Sequence, residues 1–165
     1  MIVTLTGFMG SGKTTVGKVL ADFLGCPFMD LDDLVVKKAG KSIPEIFAQD
    51  GEAAFRQLEA HILRQTVEKY GETTAVLALG GGAVTTPASA SLLHEKTVCI
   101  YLRATLDTLL GRLAGETSGR PLADASLADR LASREPIYEE TAHVIIDTDG
   151  LTPDEVADEI IISAL

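Results

Sequence analysis

The sequence predicts an α/β fold built on a mainly parallel sheet. Short apolar runs alternate with amphipathic stretches along the chain, the pattern of strands joined by crossover helices. Glycines crowd the ends of two of those runs, at 7–12 and 80–82, where parallel strands open onto ligand crevices. A length of 165 residues suits one domain over 1–165. A domain of that size buries roughly 70% of its unfolded surface and needs no metal or disulfide staples.

Each element follows from its own signal. Ile2–Thr6 reads as the first strand, and Lys13–Leu24 as a helix with Val16, Val19, Leu20, Phe23 and Leu24 at helical spacing. A short strand is predicted near 27–29. Ser42-Ile43-Pro44-Glu45 is a capping box that starts a short helix. Residues 52–69 form a longer helix with Phe55, Leu58, Ile62, Leu63 and Val67 inward. A buried strand at 75–79 runs into Gly80-Gly81-Gly82, and Thr86-Pro87 opens the next helix. Strand 97–102, helix 105–113, helix 126–134 and strand 144–146 follow, and Thr152-Pro153-Asp154-Glu155 caps the last helix. Between 114 and 125 the pattern dissolves into Gly, Ser, Thr, Asp and Pro, as in a mobile lid.

Composition narrows the function. The formal net charge of −10 repels nucleic-acid backbones and anionic membranes, so an anionic ligand needs a local cluster of donors. Aromatics are 5% of the chain with no Trp, too few for single-strand stacking platforms. Cys26 and Cys99 lack CxxC spacing and read as small apolar residues of a reducing cytoplasm. His61, His94 and His143 have no metal-ligand spacing. Neither a signal peptide nor a membrane-length apolar run is present.

Gly7-Phe8-Met9-Gly10-Ser11-Gly12-Lys13-Thr14 matches G-x-x-x-x-G-K-[ST] between a strand and a helix. In such a turn the amides of Gly10, Ser11 and Gly12, with the positive helix end, cradle phosphate oxygens. Lys13 adds a full charge, Thr14 a hydroxyl for Mg²⁺, and Thr15 a further phosphate donor. The chain contains no asparagine, which excludes the Asn-Lys-x-Asp guanine reader and the protein-kinase catalytic loop. ATP is therefore the expected nucleotide.

Asp30-Leu31-Asp32 follows the second strand. Two residues apart in an extended segment, both carboxylates can face one site, one serving Mg²⁺ and one an acceptor hydroxyl. The same acids also suit a helix N-cap, with Asp32 and Asp33 well placed for it. Of seven arginines, Arg56, Arg112, Arg120 and Arg134 stand where bidentate donors would meet carboxylate or phosphate, although a solvated face is the ordinary fate of a single helical arginine. Glu59 lies one turn from Arg56 and can orient it. Three successive glycines at 80–82 exceed what a bend needs and suggest close approach of a ligand.

Taken together, Gly7–Thr15, Asp30-x-Asp32, Gly40-x-Ser42-Ile43-x-Glu45-Ile46-Phe47, Gly51-Glu52-x-x-Phe55-Arg56-x-x-Glu59, Gly80-Gly81-Gly82-Ala83, Arg120-Pro121-Leu122 and Arg134-x-Pro136-x-Tyr138 resemble the shikimate kinase family in order and spacing. The resemblance implies a three-layer P-loop fold, with a five-stranded parallel sheet flanked by helices and a lid. It implies phosphorylation of shikimate by ATP in a cytoplasmic monomer, with Mg²⁺ as cofactor and no nucleic-acid or membrane partner. Thr14 and Asp30 would serve the metal, and Asp32 would bind acceptor hydroxyls as candidate base. Arg56 and Arg134 would clamp the acceptor carboxylate, with Gly81 and Gly82 offering backbone contacts and Phe47 and Phe55 lining the ring. Lys13 and Arg120 would act on the phosphates, and Arg112 would lie against adenine, bordered by the loop near Thr152. The chain departs from the family pattern at Val36, where an acid is common, and at 147–153, which lacks a basic residue. Alternatives are a gluconate-type sugar-acid kinase and a nucleotide-binding regulator without turnover.

Overall fold

A computed structural model describes residues 1–114 and 125–165 of the chain. Five strands form one parallel sheet: β1 (Ile2–Thr6), β2 (Phe28–Asp30), β3 (Ala75–Ala78), β4 (Val98–Arg103) and β5 (Val144–Asp147). Their order across the sheet is β2-β3-β1-β4-β5. Val3 is level with Val76 and Val98, and Leu5 with Ala78 and Ile100. Eight α-helices lie among the described residues: α1 (Lys13–Leu24), α2 (Leu31–Ala39), α3 (Ile43–Asp50), α4 (Glu52–Tyr70), α5 (Pro87–Lys96), α6 (Leu106–Ala114), α7 (Ala125–Thr141) and α8 (Pro153–Ala164). A one-turn 3₁₀ helix, Ala83–Thr85, joins the glycine run to α5.

Strand alternation divides the core. Val3, Leu5, Val76, Ile100 and Leu102 face α1 and α8, where Val16, Leu20, Val156 and Ile160 cover them. Ile2, Leu77, Cys99 and Tyr101 face the other way, against Phe55, Leu63, Leu93 and Tyr138. Burial on both faces accounts for the nearly continuous apolar runs of the central strands. Thr4 and Thr97 are buried polar exceptions, and their hydroxyls satisfy each other at 2.9 Å. The predicted capping boxes at Ser42 and Thr152 form as read.

Three readings are corrected. The helix N-cap that the acidic run offers is Asp30, which accepts from the amides of Asp32 and Asp33 and opens α2; Asp32 and Asp33 stand in its first turn instead. α7 continues to Thr141 through Pro136, past the 126–134 expected; its later turn is anchored by the buried Tyr138, and packing outweighs the propensity penalty. Phe23, expected in the core, is 61% exposed. It sits near the C-terminal end of α1, beyond the face that α1 presents to the sheet. The lid expected at 114–125 falls on 115–124, outside the described residues.

α1 sits close to the sheet because it carries Gly17: a Cβ there would lie 2.4 Å from the Phe28 ring. Gly17→Ala is expected to destabilise the fold by about 1–2 kcal/mol, overpacking outweighing the gain in helix propensity. Thermal denaturation measures it; a raised midpoint would mean that the Phe28 ring yields freely.

Candidate active site

Three neighbouring strands, β2, β3 and β1, end at one edge of the sheet. Asp30, the glycine run and the phosphate-type turn therefore lie side by side, though they are far apart in sequence. Carboxyl edges of parallel strands flanked by helices are where such crevices open.

The turn after β1 is shaped by glycines in the left-handed region, Gly10 at φ 81° and Gly12 at φ 91°, positions that side-chain-bearing residues rarely adopt. The Ser11 amide bonds back to the Phe8 carbonyl at 3.1 Å. Lys13 is folded onto its own turn, its ammonium donating to the carbonyls of Gly7 at 2.6 Å and Phe8 at 3.0 Å. Burial pulls its pKa down to about 8, against the opposing attraction of Asp32 and Asp30. Thr14 and Thr15, on the first turn of α1, are exposed beside it.

Thr14 donates its hydroxyl to Asp30 Oδ2 at 3.1 Å, while Asp30 Oδ1 accepts from the Asp32 amide at 2.9 Å. One oxygen of this carboxylate caps α2, and the other faces the Thr14 hydroxyl. Asp30 and Asp32 meet the same crevice for a different reason from the one expected. They do not alternate along a strand; Asp32 stands in the first turn of α2. Burial, followed by the nearby Asp30 charge, pushes the Asp32 carboxyl above its usual range.

Arg56 and Arg134 arrive from α4 and α7. Arg56 donates to Glu59 Oε1 at 2.9 Å, with Glu59 only 1% exposed. Among the described residues the buried Glu59 Oε2 and Arg56 Nε have no hydrogen-bond partner, and burial raises the Glu59 pKa. The Arg134 guanidinium lies over the Phe8 ring, 5.8 Å from its centre. Phe55 is buried in the core beneath Arg56, 5.1 Å from guanidinium to ring centre, and Phe47 is the exposed member of their ring pair.

The glycine run explains how these charges converge. None of Gly80, Gly81 and Gly82 has a positive φ, so conformation does not require them; at Gly80 and Gly82 space does. A Cβ at Gly80 would lie 2.8 Å from Asp32 Oδ1, at Gly81 3.5 Å from an Arg134 nitrogen, and at Gly82 2.3 Å from an Arg56 nitrogen. Gly80 and Gly82 thus make room for Asp32 and Arg56, while at Gly81 the Arg134 guanidinium lies at ordinary contact distance.

Arg112 lies apart from that cluster. It donates to the Gly10 carbonyl at 3.1 Å and to the Thr148 hydroxyl at 3.4 Å, bridging the turn to the loop after β5. Two cavities adjoin there: one of about 320 Å³ around Lys13, Thr14 and Arg112, and one of about 220 Å³ around Thr15, Arg112, Thr148 and Leu151. A cleft of about 510 Å³ between α5 and α7, around Pro87, His94 and Ile137, holds none of the predicted site residues. Arg120 lies outside the described residues. Sequence spacing left Tyr138 without a role, although its hydroxyl reaches the glycine run.

An anion-binding turn at the head of α1, open to a crevice with a carboxylate and two arginines, defines a P-loop kinase for a small anionic acceptor. A family model described as shikimate kinase matches residues 9–164. The chain is 42% identical over 164 residues to the shikimate kinase of Enterococcus faecalis, covering 96% of this chain and 95% of that one. It superposes on the shikimate kinase of Acinetobacter baumannii, solved in complex with shikimate, with a TM-score of 0.85 at 33% identity, covering 97% and 90% of the two chains. A gluconokinase from Sinorhizobium meliloti shares the fold alone, at a TM-score of 0.62 and 18% identity over 97% of this chain and 89% of that one. This chain belongs to the shikimate kinase family.

The lowered pKa of Lys13 has a sign that can be tested. Its charged form is the one that attracts phosphate, and in the free protein that form is lost as pH rises through about 8. ATP affinity, measured by titration calorimetry between pH 7.5 and 10, is expected to fall over that range. Constant affinity up to pH 10 would contradict the buried-lysine account.

Proposed function

We propose that this chain transfers the γ-phosphoryl group of ATP to the 3-hydroxyl of shikimate, giving shikimate 3-phosphate and ADP on the route to chorismate and the aromatic amino acids. The observation that carries the proposal is the convergence of Asp32, Arg56 and Arg134 on Gly80–Gly82, beside the turn that holds Lys13. Two arginines and an acidic group suit an acceptor bearing a carboxylate and several hydroxyls.

In this reading the amides of Gly10, Ser11 and Gly12, with Thr15, hold the phosphates of ATP. Lys13 exchanges the carbonyls of Gly7 and Phe8 for phosphate oxygens. Arg112 borders the adenine, in the cavity it shares with Thr148 and Leu151. Arg120 would add charge to the phosphates from the 114–125 segment. Arg56, oriented by Glu59, and Arg134 grip the acceptor carboxylate, while Gly81 and Gly82 supply backbone contacts. Phe47 and Phe55 line the apolar side of the acceptor ring.

Asp32 aligns the 3-hydroxyl and accepts its proton, a role that its raised pKa favours. Phosphoryl transfer is driven mainly by positioning and charge stabilisation, so orientation of the hydroxyl is the larger share of this role.

Mg²⁺ fits the donor set. Thr14 and Asp30 offer two hard oxygens 3.1 Å apart, and no cluster of three or more His, Cys, Asp or Glu able to hold a metal occurs among the described residues. That matches an ion held by one or two protein oxygens and completed by nucleotide phosphates and water. When bound, the ion would neutralise charge on the phosphates.

The proposal also takes the chain as a single cytoplasmic domain over 1–165, monomeric, acting on small molecules and not on nucleic acid or membrane. Its net charge of −10 supports the last two exclusions, and no helix among the described residues is long and apolar enough to cross a membrane.

Turnover with Mg·ATP and shikimate, with Lys13→Ala as control, tests the reaction. Phosphorylation of gluconate and not of shikimate, or ATP binding without turnover, would overturn it. Arg134→Ala is expected to lower kcat/KM for shikimate roughly 30- to 1000-fold, the loss of one charged clamp, with ATP affinity unchanged; unchanged shikimate kinetics would remove Arg134 from the site. Gly82→Ala should displace Arg56, raise the shikimate KM at least several-fold and lower the melting temperature, because the displaced guanidinium leaves the buried Glu59 without its partner. Unaltered kinetics in that variant would separate Arg56 from acceptor binding.

A further inference from the structure

The turn Gly80–Gly82 is satisfied unevenly. The Gly80 carbonyl accepts from the Ala83 amide at 3.2 Å, and the Gly82 carbonyl accepts from the Thr85 amide at 3.1 Å and the Thr85 hydroxyl at 2.6 Å. Both are held by residues of the turn and the 3₁₀ helix that follows it. The Gly81 carbonyl is held from elsewhere: the Tyr138 hydroxyl, on α7 and 57 residues away in sequence, donates to it at 2.5 Å.

That bond fixes more than one oxygen. In a trans peptide the C=O of residue 81 and the N–H of residue 82 belong to one plane and point in opposite directions, and no cis peptide occurs among the described residues. Pinning the Gly81 carbonyl toward α7 therefore aims the Gly82 N–H away from α7. A peptide between two glycines has the widest conformational freedom of any, so its orientation needs an outside hold. Ring packing alone would not supply one, since a phenylalanine fills the same space.

The rest of the setting agrees. Tyr138 is fully buried, its ring tilted against Tyr101 at 5.0 Å between centres. Burial pushes its pKa up to about 12, with Arg134 pulling the other way, so the hydroxyl remains a donor at any working pH. Arg134 stands one helical turn earlier on α7, on the same face, and the Cβ position of Gly81 is 3.5 Å from its guanidinium. One helix face thus carries the acceptor's cation and the group that sets the neighbouring backbone.

We propose that Tyr138 is a positioning residue for acceptor binding, its hydroxyl locking the Gly81–Gly82 peptide so that the backbone donor and Arg134 present a single pre-set surface to the acceptor. The proposal rests on the reading of Gly81, Gly82 and Arg134 as acceptor contacts.

Its test is steady-state kinetics of Tyr138→Phe, which keeps the ring and removes the hydroxyl, beside the unmutated protein and Tyr101→Phe. The expected result is a shikimate KM raised roughly 3- to 10-fold, the scale of one lost hydrogen bond, with ATP KM and melting temperature unchanged and Tyr101→Phe at the wild-type value. Wild-type shikimate KM in Tyr138→Phe overturns the inference alone. Equal rises in the ATP and shikimate KM values also overturn it, since they would assign the hydroxyl a purely structural role. Failure of the unmutated protein to phosphorylate shikimate would overturn the functional reading and this inference with it.

Discussion

The site depends on the absence of side chains at two positions beside one turn. Gly80 and Gly82 let Asp32 and Arg56 approach the end of β3 more closely than a Cβ would allow, while Arg134 stands at ordinary contact distance from the Gly81 between them. The chain as a whole carries excess negative charge, so an anionic acceptor finds attraction only where cations are gathered. Gathering them has its own cost. Arg56 and Glu59 are held together in a largely water-free position, and burial of such a pair is repaid only by good geometry and complete hydrogen bonding. Here the pair is incomplete: among the described residues Glu59 Oε2 and Arg56 Nε find no hydrogen-bond partner, and Arg56 Nε meets only the Glu52 carboxylate at 3.8 Å.

Sheet order converts this local geometry into an arrangement for two substrates. With β3 between β2 and β1, the glycine run sits between the Asp30–Asp32 corner and the phosphate-binding turn. The backbone that faces Arg134 at Gly81 also lies 3.6 Å, from its Cβ position, from the Gly7 carbonyl. Gly7 in turn holds Lys13. The arginine cluster and the phosphate-type turn are therefore adjacent through backbone, an arrangement that in the proposed reaction favours in-line positioning of the reacting groups over any single strong contact.

Much of this was legible in the sequence because it is carried by local signals. The turn at 7–14, the capping boxes at Ser42 and Thr152, and the central strands depend on residue type and near spacing, and they form as read. The acidic start of α2 was less legible. Asp30 caps α2 with Asp32 and Asp33 in its first turn, so the end of one strand is also the start of a helix, and residue type alone does not say which acid is the cap. Pro136 reads as a stop, yet the packing of Tyr138 carries α7 beyond it. The glycine run reads as a place where a ligand comes close; that the side chains of Asp32 and Arg56 crowd it is a property of the tertiary fold, which no local spacing encodes. The Tyr138 hydroxyl was the least legible feature, since its partner is a main-chain oxygen on a distant segment, and no spacing rule encodes such a contact.

The central claim is that charge, concentrated by the glycine run, selects the acceptor. The most direct measurement is calorimetric binding of shikimate and of its methyl ester, which keeps the ring and hydroxyls and removes the charge. The account predicts that the ester binds more weakly by roughly 2–4 kcal/mol, and that the difference largely disappears when Arg56 and Arg134 are both replaced by alanine. Equal affinities for acid and ester in the unmutated protein would contradict it.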